Sequence, residues 1–509
     1  MKKTFKMKII SAAICLIILA HMFPAVVMTQ ALISSEAQEH ITSQLRRANI
    51  PNAAVAIIHG GETTYIFRDS QHDTLFQIGS LSKSFTAFGI LLLEDMGLLS
   101  VSDPVNRHLP WFEAFYRGAP VPHEDITIYN LMQHTSGLTS DERHFPSFHI
   151  EAINAIISHY TGIELAFYPG TEHQYGNINY VLLGILIEAI SGQSYDEFVT
   201  QNVLHPLGLY NTFTDMQNAQ ETGRVVGGHK RGFFLSWSYN PHINYPLIPS
   251  GFIYSNITDM ARWAGIHLGI IDISEQFARV VQRTHEDNHS HNNPFAELAG
   301  FYAGGWEIDR ENGYIKHTGS TPGYFSVIKL WSMDEAAVVV IGNLGMLTIT
   351  SRFVDIVIDS VVYGTFNNIG IDFFAILDIA LIGFTLWSIF SLYKFIRLAI
   401  KTIKRVRCGE GVKYKVGQKG QNHLGFTNGD VVKYSGIKLK WLFDLGFAVA
   451  VILALYFILP AVMGTTLSFI ITFAPVSLVA VIIFAWIELA HALFGLWVKV
   501  FVDKKSVDI

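Results

Sequence analysis

The chain carries little charge. Only 15% of its 509 residues are Asp, Glu, Lys or Arg, against roughly 25% in a soluble domain, which argues against a wholly soluble protein. Cysteine is nearly missing. Cys15 and Cys408 are the only two and stand in different regions, which excludes a disulfide framework and a cysteine-based metal knuckle. Positive charge is not in excess either. A net charge of −6 gives no general attraction to nucleic acid, so no such partner is expected. With 50% hydrophobic residues and so little charge, disorder is excluded. There is no internal repeat and no low-complexity tract.

The apolar residues gather at the two ends. Met1-Lys2-Lys3-Thr4-Phe5-Lys6-Met7-Lys8 is followed by a nearly unbroken apolar run from Ile9 to Leu19. A basic start before a short apolar run predicts a signal peptide or signal anchor over residues 1–31. Leu445 to Ile487 is 43 residues long and has no charge. One span needs about 20 residues, so Gly464-Thr465-Thr466 divides this stretch into spans of about 442–463 and 467–489. An earlier span is expected over 373–393, interrupted only by Asp378. The loop 394–440 holds twelve Lys or Arg against Glu410 and Asp430. The positive-inside rule places it in the cytoplasm, with residues before 370 outside the membrane. Asp378, Asp444 and Glu488 lie in or near spans, where acids are functional candidates. The plainer expectation is that they lie near interfaces or pair between helices.

Residues 36–365 remain as one unit. Helical spacing runs from Gln38 to Ala48, Phe85 to Met96 and Tyr180 to Ile190, and a helix is expected over 349–362. Ala53 to Ile58 and Thr63 to Arg68 flank His59-Gly60-Gly61-Glu62, the pattern of a hairpin. Asp103-Pro104 has the form of a helix cap followed by proline. Phe325 to Trp331 and Ala336 to Ile341 read as adjacent strands. Strands at both ends with helices between predict an α+β fold, its antiparallel sheet built from distant segments.

Three stretches carry chemistry. Ile78-Gly79-Ser80-Leu81-Ser82-Lys83 opens an apolar helix, and residues three apart on a helix share a face. Ser80 becomes a nucleophile only when a neighbour takes its proton, and a lysine deprived of water is such a neighbour. A Ser-x-x-Lys spacing alone arises about twice by chance in a chain this long; its place at a strand-to-helix junction adds weight. Gln174-Tyr175-Gly176-Asn177-Ile178-Asn179-Tyr180 offers a phenol for proton transfer and the Asn177 amide for a substrate carbonyl. Lys316-His317-Thr318-Gly319-Ser320-Thr321-Pro322-Gly323-Tyr324 offers a strand edge along which an extended substrate adds as a further strand.

In this order, the three stretches resemble the serine β-lactamase and penicillin-binding protein-like family, in particular its class C-like branch. Phe76-Gln77-Ile78-Gly79, Leu131-Met132-Gln133-His134-Thr135-Ser136-Gly137-Leu138, Asn179-Tyr180-Val181-Leu182-Leu183-Gly184 and Pro249-Ser250-Gly251 fit the same branch. The resemblance spans roughly residues 38–360. It implies a β-lactamase-like serine hydrolase domain in which Ser80 is acylated and Lys83 and Tyr175 carry the proton. It further implies that Asn177 binds the substrate amide, that His317, Thr318, Gly319 and Ser320 line the substrate, and that the N–H groups of Ser80 and Ser320 form the oxyanion hole. Where relatives have lysine this chain has His317, a weaker cation near neutral pH. Hydrolysis of another amide or ester is therefore expected over efficient β-lactam hydrolysis.

With its predicted spans, the chain looks like membrane-bound D-aminopeptidases and penicillin-binding-like surface proteins. The resulting expectation is an extracytoplasmic, multi-pass membrane serine hydrolase. It needs no cofactor or metal, and it acts on a small peptide or acyl-D-amino acid at a lipid bilayer. An esterase or β-lactamase of the same fold and a non-turnover penicillin-binding sensor are the alternatives. Association with an exporter or a second copy stays open. The run His285-Glu286-Asp287-Asn288-His289-Ser290-His291 reads as a solvated loop rather than a metal site.

Overall fold

The computed structural model describes residues 33–139, 149–239, 247–286, 301–345 and 347–368, with isolated positions from 378 onward. The chain divides into two units: residues 1–229 with 238–370, and residues 230–237 with 371–509. The first holds an N-terminal helix α1 (Ser35–Arg47), capped by the Ser34 hydroxyl, which accepts from the Ala37 N–H at 3.1 Å. Then come strands β1 (Ala53–His59) and β2 (Glu62–Arg68), and helices α2 (Ser82–Asp95) and α3 (Asn177–Ser191). A short hairpin of β3 (His229–Gly232) and β4 (Leu235–Ser238), whose residues 230–237 belong to the second unit, precedes helix α4 (Ile257–Leu268) in the chain. Strands β5 (Phe301–Ala303), β6 (Trp306–Asp309), β7 (Tyr314–Thr321), β8 (Tyr324–Trp331) and β9 (Ala336–Gly342) follow, and helix α5 (Leu347–Val362) closes the unit.

Seven of these strands make one antiparallel sheet in the order β5-β6-β7-β8-β9-β1-β2. Its centre joins the two ends of the unit: Ala53 pairs with Gly342 and His59 with Ala336. Every residue of β9 is buried, and β1 is buried except at His59. Near-continuous Ala, Val and Ile runs follow from that, because these strands are covered on both faces. The β1–β2 turn uses Gly60 and Gly61 at φ +57° and +80°, the left-handed conformation a two-residue hairpin demands. Sheet formation from distant segments and the hairpin agree with the sequence.

Helix boundaries differ in one instructive place. The expected proline-first helix at Asp103 begins one residue later, with Pro104 itself as the cap of Val105–His108. Asp103 instead accepts from the Ser100 N–H and pairs with Arg107 and His108. Helix α3 starts at Asn177 and stops at Gly192, which takes φ +71°. Among the described residues no helix is long and apolar enough to cross a membrane. Residues 1–31 and the expected span 442–463 lie outside the described residues. The stretches 373–393, 394–440 and 467–489 are described only at isolated positions.

Candidate active site

The site is built where α2 begins. A short extended pair, Phe76–Gln77, leads into a tight turn Gly79–Leu81 and then directly into the helix. Gly79 has φ +53°, and a Cβ there would lie 2.5 Å from the Ser320 nitrogen. Only glycine lets the turn press this closely on β7. A Cβ on Gly319 would come within 2.0 Å of the Ile78 carbonyl oxygen. The Ser326 hydroxyl donates to that same carbonyl at 2.5 Å, and the Ser82 hydroxyl donates to the Gly79 carbonyl at 2.7 Å. Two glycines thus allow the contact and two hydroxyls fasten it. Ser80 is left half-buried at the helix start.

Lys83 is completely buried. Its Nζ lies 3.1 Å from Ser80 Oγ, 2.7 Å from Asn177 Oδ1 and 2.6 Å from the Ser250 carbonyl oxygen. The two latter oxygens only accept, so two N–H groups are committed to them. The third direction points at Ser80. In the ammonium form Lys83 donates to Oγ, and in the amine form its lone pair faces the Ser80 hydroxyl proton. The side chain is therefore aimed by Asn177 and Ser250 whichever form it takes. Nζ also lies 4.8 Å from the centre of the Tyr175 ring, and that ring is 43% exposed. A phenol thus stands between the buried amine and the open side of the site.

His317 is buried, and period-two alternation along β7 buries Gly319 and Thr321 with it while Thr318 and Ser320 stay half-open. Its Nδ1 lies 2.8 Å from the Thr318 carbonyl oxygen, and its Nε2 lies 3.0 Å from the Tyr302 hydroxyl. A carbonyl only accepts, so Nδ1 carries the proton. Burial, seconded by the Lys83 charge, pushes the imidazole down to about 3. It is neutral at pH 7, and Nε2 then accepts from the Tyr302 hydroxyl. Burial holds the Tyr302 phenol well above its usual range, so it stays protonated and able to donate.

A second imidazole supports the Tyr175 loop. His134, itself at φ +59°, accepts at Nδ1 from the Gly176 N–H at 3.3 Å and the Asn179 side-chain amide at 3.1 Å. Its ring centre lies 4.4 Å from that of Tyr175. Burial pushes this imidazole well below its ordinary value, with the Lys83 charge acting the same way.

The structure therefore gathers Ser80, Lys83, Tyr175 and Asn177, and seats β7 with Thr318, Gly319 and Ser320 against the Gly79–Leu81 turn. His317 is brought into the same cluster, with both ring nitrogens facing protein groups. Tyr302 carried no signal in the sequence: it sits in a three-residue strand with no pattern around it. Ser250 and His134 stood in stretches that fit the family, but their parts were hidden. One contributes a backbone oxygen, the other a turn. His285, the first residue of the run expected to be a solvated loop, caps the C-terminus of the helix Glu275–Thr284 and is half-buried, its Nε2 2.9 Å from His267 Nδ1. Residues 287–300 lie outside the described residues. Among the described residues no three His, Cys, Asp or Glu side chains gather as metal ligands.

Two outcomes follow. Gly319→Ala drives a methyl into the Ile78 carbonyl and is expected to cost about 3 kcal/mol of stability, measured by denaturant unfolding. An unchanged midpoint would contradict the close contact. The second outcome concerns acid. His134, His267, His285 and His317 are all held below the ordinary imidazole value by burial. An unfolded chain protonates them as pH falls through about 6.5, whereas folded His285 waits until about 4 and His317 until about 3. The unfolded state binds more protons in that window, so stability falls as pH falls. Asp259 and Asp355, raised by burial, act oppositely but nearer the carboxylate range. Thermal unfolding is expected to drop by on the order of 10 °C between pH 7 and pH 5. A flat profile would contradict neutral burial.

A family model described as Beta-lactamase matches residues 37–350. Protein flp of Staphylococcus aureus is 29% identical over 317 residues, covering 60% of this chain and 62% of its own length. The match thus spans under two thirds of that relative. A solved class C beta-lactamase superposes with a TM-score of 0.54 at 17% identity, covering 67% of this chain and 99% of its own. The D-alanine carboxypeptidase AmpC from Burkholderia cenocepacia superposes with a TM-score of 0.52 at 20% identity, covering 64% and 97%. At these identities the two structures establish the fold.

Proposed function

The chain belongs to the Beta-lactamase family of serine hydrolases, and from that premise we propose that it is a membrane-anchored extracytoplasmic hydrolase. It cleaves amide bonds of D-amino-acid-containing or cell-wall-like peptides through a Ser80 acyl-enzyme. The observation that carries this reading is the aim of Lys83 at Ser80, 3.1 Å away, with its other hydrogens held by Asn177 and the Ser250 carbonyl.

The chemistry runs from that geometry. The amine form of Lys83 takes the Ser80 proton as Oγ attacks the substrate carbonyl. The ammonium so formed is stabilised by its two committed acceptors. Negative charge on the carbonyl oxygen meets the N–H groups of Ser80, at the start of α2, and of Ser320, which the Gly79 contact holds nearby. The proton then passes to the leaving nitrogen, with the Tyr175 phenol as carrier toward the open side. That nitrogen departs as an amine and leaves an ester on Ser80. Water repeats the attack, its proton returns through the same groups, and the ester bond to Oγ breaks to free the acid.

Substrate preference rests on His317. A neutral, buried imidazole offers no fixed charge to a β-lactam carboxylate, which favours peptides bound along β7 over penicillins. Fold neighbours described as a class C beta-lactamase and a D-alanine carboxypeptidase fit an acyl-enzyme route for either substrate. The test is a panel of N-acyl-D-amino acid amides, D-Ala-D-Ala peptides, penicillins and short esters given to the full chain in membranes. The expected order puts a D-amino-acid amide or peptide first. Cleavage of short esters alone would overturn the substrate class and leave the nucleophile standing.

A further inference from the structure

The hairpin β3–β4 turns through Phe233-Phe234. Both residues take positive φ, +53° and +61°. A two-residue turn of this kind ordinarily uses Asn-Gly or Gly-Gly, and bulky aromatic residues there are strained. Strain persists only where surroundings enforce it. One group that holds it is Asp378. Its carboxylate accepts from the Phe234 N–H at 3.0 Å and lies 3.9 Å from Arg231 Nε. Asp378 is 1% exposed, and Arg231 is also close to fully buried. The hairpin's residues 230–237 group into one compact unit with residues 371–509.

Among the described residues, the acid that interrupts the first expected span is held by the hairpin. It clamps a strained aromatic turn supplied from a segment 144 residues earlier in the chain. What the clamp displays is apolar. Phe234, Leu235 and Trp237 are exposed, Leu235 by 56%. The Trp237 indole is fixed by donating to the Gly232 carbonyl at 2.8 Å. The helical positions beyond Asp378 are exposed and apolar as well, at Ile379, Leu386, Ile389, Phe390 and Tyr393. So many large apolar side chains facing water would be costly; facing lipid they are not.

We propose that the tip of this hairpin is a membrane-inserting anchor, held by the Arg231–Asp378 clamp at the outer interface of the lipid bilayer. Asp378 lies five residues into the expected span. That is the headgroup boundary, where Trp and other aromatic side chains concentrate. A charged pair survives there because each partner neutralises the other and neither is left alone in hydrocarbon. Tryptophan with its polar edge tied to backbone, flanked by Phe and Leu, suits that boundary. The inference rests on the spanning reading of residues 373–393, so its test carries a probe for each.

Nitroxide labels are placed at Leu235→Cys, Ile389→Cys and Met333→Cys of the full chain, with Cys15 and Cys408 replaced by serine. The protein is reconstituted in phosphatidylcholine–phosphatidylglycerol nanodiscs. Accessibility to oxygen and to a water-soluble nickel chelate is read by power saturation. Met333, 93% exposed in the catalytic unit, is the aqueous control. Positions 235 and 389 are expected to favour oxygen and position 333 nickel. Adding Asp378→Asn is expected to shift 235 toward nickel while 389 stays put. Nickel access at 235 with oxygen access at 389 would overturn the anchor and leave the span. Nickel access at both would overturn the two together. Dipolar broadening at 235 between copies would overturn lipid insertion in favour of a second protomer.

Discussion

Ser80→Ala is expected to abolish covalent labelling by a fluorescent penicillin or fluorophosphonate and to lower kcat/KM by roughly ten-thousand-fold or more. The size follows from where the residue stands. Lys83 and its acceptors, the β7 strand and the Tyr175 loop are all arranged around one hydroxyl, and groups that act as a unit fail together. A methyl in its place keeps the turn, because Ser80 Oγ is not among the groups that fasten it. The Ser82 and Ser326 hydroxyls do that work. The variant is therefore expected to unfold at the wild-type temperature. Loss of activity with an unchanged fold identifies a nucleophile. Loss of both would mean that Ser80 holds the turn instead.

Lys83→Met should be nearly as damaging, and the loss should depend on the leaving group. The variant keeps the length of the side chain and removes the proton carrier. For an amide, whose nitrogen must be protonated to leave, a loss of about a thousandfold is expected. For an ester with a good leaving group, which departs without help, about tenfold to a hundredfold is expected. Comparison of the two substrates on the same variant separates proton transfer from misplacement of Ser80, since misplacement would slow both alike. Lys83→Arg is not expected to rescue. A guanidinium is planar and stays charged, so it cannot meet Asn177 Oδ1, the Ser250 carbonyl and Ser80 as the tetrahedral amine does, nor offer a lone pair.

How much of this was readable in advance depends on the range of the interaction. The Gly60-Gly61 hairpin, the α3 stop at Gly192 and the buried strands β1 and β9 are local or periodic, and the residues spell them out. The closeness of Ser80 and Lys83 also follows from three residues of chain at a helix start. What sets the aim of Lys83 does not. Asn177 lies 94 residues away and Ser250 lies 167 away, and the latter gives only a backbone carbonyl, which leaves no mark in a side-chain pattern. The state of His317 was hidden for the same reason. Histidine at a strand edge reads as a weak cation, until the Tyr302 hydroxyl and the Thr318 carbonyl are seen to occupy both nitrogens. Asp378 was conspicuous as a lone acid in an apolar run, yet its partner Arg231 stands in a different segment that nothing in the sequence links to it.

Acyl transfer is expected to pass through one oxygen, Ser80 Oγ. Mass spectrometry of the full chain after brief exposure to a penicillin or to an N-acyl-D-amino-acid thioester measures this directly. One added acyl mass is expected, mapped by proteolysis to the peptide containing Ser80, and removed with time as water completes the cycle. An adduct on any other residue, or substrate turnover with no adduct at Ser80 under rapid quench, would contradict it.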